Sequence, residues 1–468
     1  MPETITAKRP IHIKETVDGI TIDELTYGAT EDSKIAEAAT RKRKAATAAV
    51  DEKPKSDPYI WGIYFSLLAF SLVELFSASS FEVTSSNVYA PLIRHALFLL
   101  VGLGIVVWFQ RMRYVVFRKW ARLFAFGSFL LLLIVTFGGG VSINGAERAL
   151  RFAGITVQPA EIVKLAIVVV LAQILATNQI PRGVSNRGIV ISAIVVIAFA
   201  ALTWKNGLTN TLLVMGVSLA MFLIGGMGLK KFFIVVAIYC LAAGVVYTAK
   251  SADDDTSFKN QAEQTEQTEQ GLGRAETHSN RIDRFLKGVS PDDPINDMNR
   301  QVIMSKFALA HGGIIGQGPG NSRESARLPL AFSDYIYSIV IEDTGLVGGI
   351  VLLLLYLCLI GRAGYVAGKC SRAFPALLIM GSAVLIVLQA LVHMAIVVGI
   401  VPVSGQPLPF ISKGGTSILI MSAAIGMMLS VSRYGMTSGN KKRMRAELKE
   451  LPVDLQAENP TFIGSAEN

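Results

Sequence analysis

The sequence predicts an all-α integral membrane protein with about ten transmembrane helices. Three observations carry that prediction. Apolar runs of roughly 20 residues recur along the chain, and each is long enough to cross a hydrocarbon core of roughly 30 Å. Hydrophobic residues make up 51% of the 468 positions and the mean hydropathy is +0.48, more apolar than a soluble domain of this size tolerates. Basic residues gather at the ends of the runs that share one face.

Met1 to Asp57 is polar and charged and reads as a cytoplasmic tail whose composition predicts disorder, with a short helix near Ser33 to Ala49 as the alternative. The first crossing spans about Tyr59 to Ala78 and ends in FSASS. The second covers Ala90 to Phe109, and the third Trp120 to Phe137, which stops at Gly138-Gly139-Gly140. Val157 to Ala176, Gly188 to Thr203, Leu208 to Gly225 and Lys231 to Ala249 supply the fourth to seventh. A long polar segment, Lys250 to Ser333, follows, with a Gln/Glu/Thr-rich run at Gln261 to Gln270 that is too polar to pack and reads as a spacer. Tyr335 to Leu359, Ala376 to Val398 and Thr416 to Ser432 complete the set, so the membrane domain is 58–435 and a basic tail closes the chain at 436–468.

Ten crossings put both termini on one side. RMRYVVFRKWAR, Arg182 with Arg187, Lys230-Lys231, Arg362 with Lys369 and Arg372, and KKRMR all fall on that side, whereas SSFEVTSSN opposite holds no Lys or Arg. Both tails are therefore expected in the cytoplasm. Ser142 to Gln158, Lys250 to Ser333 and Val401 to Gly415 are then external.

Composition also excludes classes of function. The net charge of +9 resides at helix ends and in the tails, with no basic–aromatic module, so nucleic acid is not the partner. Cys240, Cys358 and Cys370 lie in or beside apolar runs without a CxxC or Cys/His cluster, which argues against a disulfide framework or a zinc site. No cleavable signal peptide is visible.

Chemistry concentrates in the three outer stretches. In AHGGIIGQGPGNS, Gly312, Gly313, Gly316, Gly318 and Gly320 permit tight turns and close approach to a ligand. Asp334 sits where that stretch meets an apolar run. An ionisable residue there is either functional or the cap of the next helix, and the sequence leaves the two even. In INGAERALRFAGITVQPAEIVKLA, Pro159 suits a first helical turn and Glu161 its positive end. Glu161 and Lys164 share a helix face, as a structural ion pair or as a site for a phosphate. Arg148 and Arg151 add anion-binding capacity or snorkel to the interface. VPVSGQPLPFISKGGTS is broken by Pro402, Gly405, Pro407 and Pro409, and irregular backbone near membrane depth survives only against protein or a polar cavity.

These residues resemble the SEDS family (shape, elongation, division and sporulation proteins). The matching words are SAS at Ser77 to Ser79, QPAEIVK at Gln158 to Lys164, GGIIGQGPGNS at Gly312 to Ser322, LPLAFSDYIYSIVIEDTGLVG at Leu328 to Gly348, and PVSGQPLPFISKGGTS at Pro402 to Ser417. They occur in family order over about Tyr59 to Arg433, and the long N-terminal tail and the QPLPFISKGGTS wording lean toward the division members. Ala149, Asp343, His393, Ser404 and Lys205-Asn206-Gly207 depart from the usual pattern, which touches fine lipid contacts rather than the fold.

The resemblance implies a SEDS-type fold with a large outer loop between helices 7 and 8. It also implies a peptidoglycan glycosyltransferase that polymerises lipid II at the outer face of the cytoplasmic membrane. Asp334 matches the family's essential loop carboxylate, and Glu161 and Lys164 its intramembrane pair. Asp334 is then the expected general base, with Lys164 and Arg148 toward the phosphates. Gln158, Ser412, Gly316, Gly318 and Gly414 line the expected substrate path. The chemistry admits a divalent cation, Mg or Mn, near Asp334, although the sequence shows no dedicated cage of ligands. Expected partners are a class B penicillin-binding protein transpeptidase and other divisome proteins, at the division septum. An elongation role, a lipid II flippase and a recruiting scaffold remain as alternatives.

Overall fold

A computed structural model describes residues 56–79, 90–137, 141–143, 146–152, 155–181, 183–204, 207–242, 244, 285, 288, 295, 299–324, 327–328 and 333–435. The rest of both tails, the Gln261 to Gln270 run and most of the long outer loop lie outside the described residues.

Each of the ten expected crossings falls on a helix over its described residues, the seventh only as far as 242, with 243 and 245–249 outside them. They are α1 (Pro58–Ser79), α2 (Ala90–Arg111), α3 (Tyr114–Phe137), α4 (Pro159–Thr177), α5 (Asn186–Trp204), α6 (Leu208–Ile224), α7 (229–242), α9 (Ile336–Ala367), α10 (Ala373–Val397) and α11 (Gly415–Tyr434). Eight of the described helices have the length and apolarity of a membrane span; α6 is shorter. The helix α8 (Arg300–Gly312) leads into the glycine-rich stretch. α4, α10 and α11 are buried over most of their length and form the centre, with α1 to α3, α5 to α7 and α9 around them. Side chains such as Phe126 and Phe233 face outward, as lipid-facing surfaces require.

Contacts divide the bundle into two ends. At one end the N-terminus of α1 meets the last turn of α11, where Ser432 Oγ accepts from the Asp57 amide at 3.1 Å. Asp57 Oδ1 accepts from the Tyr59 amide there, and Arg362 bonds both Asp57 oxygens, the shorter contact being 2.7 Å. The other end carries Ser77, the glycine-rich stretch, the start of α9 and the 401–414 loop.

Two features of that second end differ from the sequence reading. The stretch before α4 is read as a loop, but it forms an antiparallel three-strand sheet of β1 (Val141–Ile143), β2 (Ala146–Phe152) and β3 (Ile155–Val157). Only Ala153-Gly154 separates β2 from β3, a spacing that suits a tight hairpin better than a loose loop. The second difference is in α9, which is read as one continuous apolar run. It breaks at Gly345, whose φ of 73° and ψ of −178° are not helical.

The break exposes backbone groups that the glycine-rich stretch then satisfies. Gln317 N donates to Glu342 O and Gly318 N to Asp343 O, both at 2.9 Å, while Leu346 N donates to Gly313 O at 3.0 Å. A Cβ at Gly316 would lie 2.3 Å from Asp343 O, so only glycine permits this approach. The carboxylates at the break are tied into the same contact. Glu342 accepts from Ser322 Oγ at 2.5 Å and from the Arg323 amide at 2.9 Å. Ser77, the second-to-last polar residue of α1, donates to Asp343 and accepts from the Gly320 amide at 2.8 Å.

Candidate functional site

Asp334 occupies the turn that leads into α9 and is half-buried. The N-cap position of α9 belongs to Tyr335, whose side chain makes no cap, and Asp334 stands one residue before it. Its Oδ1 accepts from Ser333 Oγ at 2.8 Å. Its Oδ2 lies against Gly405 of the 401–414 loop, where a Cβ would come within 3.1 Å of it at a backbone φ of +66°. Glycine at that position lets the loop reach the carboxylate.

The loop is irregular because its prolines remove donors and its glycines turn, and side chains from the bundle replace the missing contacts. Ser412 Oγ donates to Ser333 O at 2.8 Å and accepts from the Leu408 amide at 2.7 Å. Tyr356 donates to Pro409 O at 2.6 Å, and Ser71 donates to Phe410 O at 2.8 Å. Phe410 is fully buried at φ 68°, a left-handed conformation that costs a non-glycine residue about 1–3 kcal/mol and persists only where the surroundings impose it. Its ring meets Tyr64 edge-on at 5.4 Å, one of the contacts that impose it.

A buried polar chain supports the loop from beneath. Pro159 takes the first position of α4, as its sequence suits, with Gln158 extended at the N-cap. Glu161 and Lys164, on one face one turn later, are 2% and 1% exposed. Lys164 Nζ donates to Glu161 Oε1 at 2.7 Å, to Gln389 Oε1 at 2.6 Å and, more weakly, to Gln406 Oε1 at 3.5 Å. Three acceptors match its three protons, so Lys164 acts on the loop through the two glutamines. Gln389 Nε2 in turn donates to Pro407 O at 3.0 Å, and Gln406 Nε2 to Asn210 Oδ1 at 3.1 Å. His393 Nδ1 meets Gln406 O at 2.6 Å, which fixes that nitrogen as the N–H and leaves Nε2 the bare ring nitrogen when the imidazole is neutral.

Asp334, Ser412 and the Glu161–Lys164 pair thus converge on one loop. Gly414 lies at the N-cap of α11, directly after it. Gly316 and Gly318 instead meet the backbone of α9, which is the structural reason for glycine there. Arg148 is carried by β2, and its side chain lies outside the described residues. Gln389, Gln406 and Asn210 are the site residues that sequence reasoning missed: a neutral amide in an apolar helix has no spacing signal. Gln406 stood inside a quoted motif without a role. Among the described residues no group of three or more His, Cys, Asp or Glu side chains is placed to hold a metal ion.

The model of the FtsW/RodA/SpoVE family of cell cycle proteins matches residues 58–437. A probable peptidoglycan glycosyltransferase FtsW of Enterococcus hirae is 29% identical over 408 residues, covering 85% of this chain and 97% of that protein. Stage V sporulation protein E of Bacillus subtilis is 28% identical, covering 82% and 98%. Among solved structures, a chain from a peptidoglycan synthase complex that coordinates polymerization and crosslinking superposes with a TM-score of 0.61 at 23% identity, covering 81% of this chain and 98% of that one. The rod shape determining protein RodA of Thermus thermophilus superposes with a TM-score of 0.56 at 20% identity, covering 82% and 98%. These two likenesses concern the fold.

Proposed function

This chain belongs to the FtsW/RodA/SpoVE family of cell cycle proteins, and we propose that it works as a peptidoglycan glycosyltransferase of the FtsW type, with Asp334 as general base. The observation that supports the reading is the Asp334 carboxylate against Gly405 of a clamped, irregular loop, with the preceding Ser333 carbonyl held by Ser412 of the same loop. The substrate is lipid II. An acceptor sugar hydroxyl gives its proton to the Asp334 carboxylate as its oxygen attacks the anomeric carbon of a second lipid II. The anomeric C–O bond to the diphosphate breaks, and the leaving group takes the bonding electrons. One direct displacement inverts that carbon. Lys164, Glu161, Gln389 and Gln406 hold the loop in register, while Gln158, Arg148, Ser412 and Gly414 border the path of the sugar and its phosphates.

The protein acts at the outer face of the cytoplasmic membrane, with both termini in the cytoplasm, in line with the basic residues clustered on one side of the crossings. Nothing in the chain resembles a transpeptidase, so crosslinking is supplied in trans by a class B penicillin-binding protein, with other divisome proteins at the septum. Purified protein given labelled lipid II, with no other polymerase, tests the reading directly. Glycan chains are the expected product. Lipid movement across vesicles without polymer would identify a flippase instead. Depletion should give filamentous cells; rounded cells would assign the protein to elongation.

A further inference from the structure

At the end of the bundle that carries the basic clusters, α3, α4 and α5 enclose a groove of about 490 Å³, within the roughly 300–1,000 Å³ typical of ligand pockets. Each helix gives it one face at helical spacing: Arg122 and Phe126 from α3, Val170 and Gln173 from α4, Ile191 and Val195 from α5. Phe129 and Phe199 close its deep end, their rings meeting edge to face at 5.2 Å. Phe126 is 65% exposed, so the flank of the groove is open to the bilayer.

Two polar groups stand at the mouth. Gln173 is 8% exposed, and its Nε2 donates at 2.9 Å to Arg118 O, one turn before Arg122. A carbonyl accepts only from the amide nitrogen, so that bond fixes the amide and leaves Oε1 for the groove. Gln173 Oε1 has no hydrogen-bond partner among the described residues, and a buried acceptor left unpaired is costly.

Arg122 has no carboxylate to meet in the helices around it. The chain holds no Asp or Glu from Val83 to Ala146 or from Ile162 to Ala252, which covers α2 to α7 beyond the first turn of α4. Helix α11, which also touches α3, holds none either. A guanidinium beside lipid then favours an anion that the bilayer itself supplies. The dipoles agree: α3 and α5 begin at this end, and their N-termini favour negative charge. The opposing end of α4 is tied off, because Asn178 Nδ2 donates to Ile174 O at 2.8 Å.

We propose that this groove binds an anionic glycerophospholipid whose headgroup bears a hydroxyl, as that of phosphatidylglycerol does. Its phosphate lies on Arg122, and a headgroup hydroxyl donates to Gln173 Oε1. One acyl chain runs along Phe126, Ile191 and Val195 toward Phe129 and Phe199. On the topology proposed above, the lipid belongs to the cytoplasmic leaflet, across the membrane from Asp334.

Native mass spectrometry of the full-length protein in detergent, titrated with phosphatidylglycerol, tests the proposal. One bound lipid should persist at concentrations where phosphatidylcholine is lost. Arg122→Gln is expected to weaken binding by roughly tenfold or more, the worth of a hydrogen bond to a charged group, and Arg122→Lys to weaken it less. Val195→Trp keeps the charge but fills the groove, and should release the lipid too. Phosphatidylethanol is equally anionic without a headgroup hydroxyl. It should bind the wild type more weakly than phosphatidylglycerol does, and Gln173→Leu should bind the two alike. Equal binding of the two by the wild type would overturn the Gln173 contact. Equal retention of phosphatidylcholine, or unchanged affinity in Arg122→Gln and Val195→Trp proteins that melt like the wild type, would overturn the site. Detergent exposes both ends of the bundle and the readout needs no polymer, so the result is independent of the topology and of the glycosyltransferase reading.

Discussion

Ser412 Oγ donates to Ser333 O at 2.8 Å, and that one hydrogen bond joins two motifs 79 residues apart. Ser333 Oγ donates in turn to Asp334 Oδ1, so Ser333 links the 401–414 loop to the carboxylate. Ser412→Ala removes a donor and an acceptor, stranding Leu408 N and Ser333 O. Each stranded buried group costs about 1–3 kcal/mol. We predict a fall in polymerisation rate of roughly tenfold or more together with a lower melting temperature; an unaltered rate in steady-state assays would remove Ser412 from the site.

Asp334→Asn keeps the side chain's size and its bond from Ser333 but cannot take a proton. Polymer yield from labelled lipid II should drop by roughly 10²-fold or more, the range that general base catalysis supplies. A folded Asp334→Asn protein with normal yield would sink the assignment.

The Lys164 ammonium and the Glu161 carboxylate are both buried, and removing one leaves a buried charge that costs about 3–5 kcal/mol. Lys164→Met should therefore melt early. Glu161→Gln/Lys164→Met removes both charges and should regain melting temperature but not activity, since the Gln389 and Gln406 oxygens stay without their donor. Regained polymerisation in the double variant would show that the pair is structural only.

Two glycines separate stability from chemistry. At Gly345, φ is +73° and an added Cβ would sit 2.2 Å from Ile314 O, a backbone atom that cannot give way. Gly345→Ala should undo the docking of the glycine-rich stretch on α9 and lower the melting temperature. At Gly405 the nearest atom is the movable Asp334 carboxylate, so Gly405→Ala should cost activity out of proportion to stability. Equal losses of both properties in the two variants would contradict this division.

Cys370 lies in the turn between α9 and α10, almost fully buried, and burial pushes its thiol up to about 12. A raised value keeps the neutral thiol at any pH below that, so iodoacetamide at pH 8 should leave Cys370 unmodified until the protein is denatured. Peptide mapping after labelling checks it; modification in the native protein would show that this turn is open.

Sequence alone determined the crossings, because a run of apolar residues long enough for the bilayer is a local property that needs no partner. It also marked Asp334, Glu161, Lys164 and Ser412 through their motifs and the Pro159 helix start through residue chemistry. Tertiary structure decided what each of them touches. The break at Gly345 was not legible, since its cause is the backbone of residues 313–318 arriving from another segment. The Gln389 and Gln406 supports were hidden for the same reason: an amide in an apolar run acquires a role only when a lysine 225 or 242 residues away meets it. Hydropathy is additive along the chain, whereas a buried polar network exists only once distant donors and acceptors have been brought within about 3 Å.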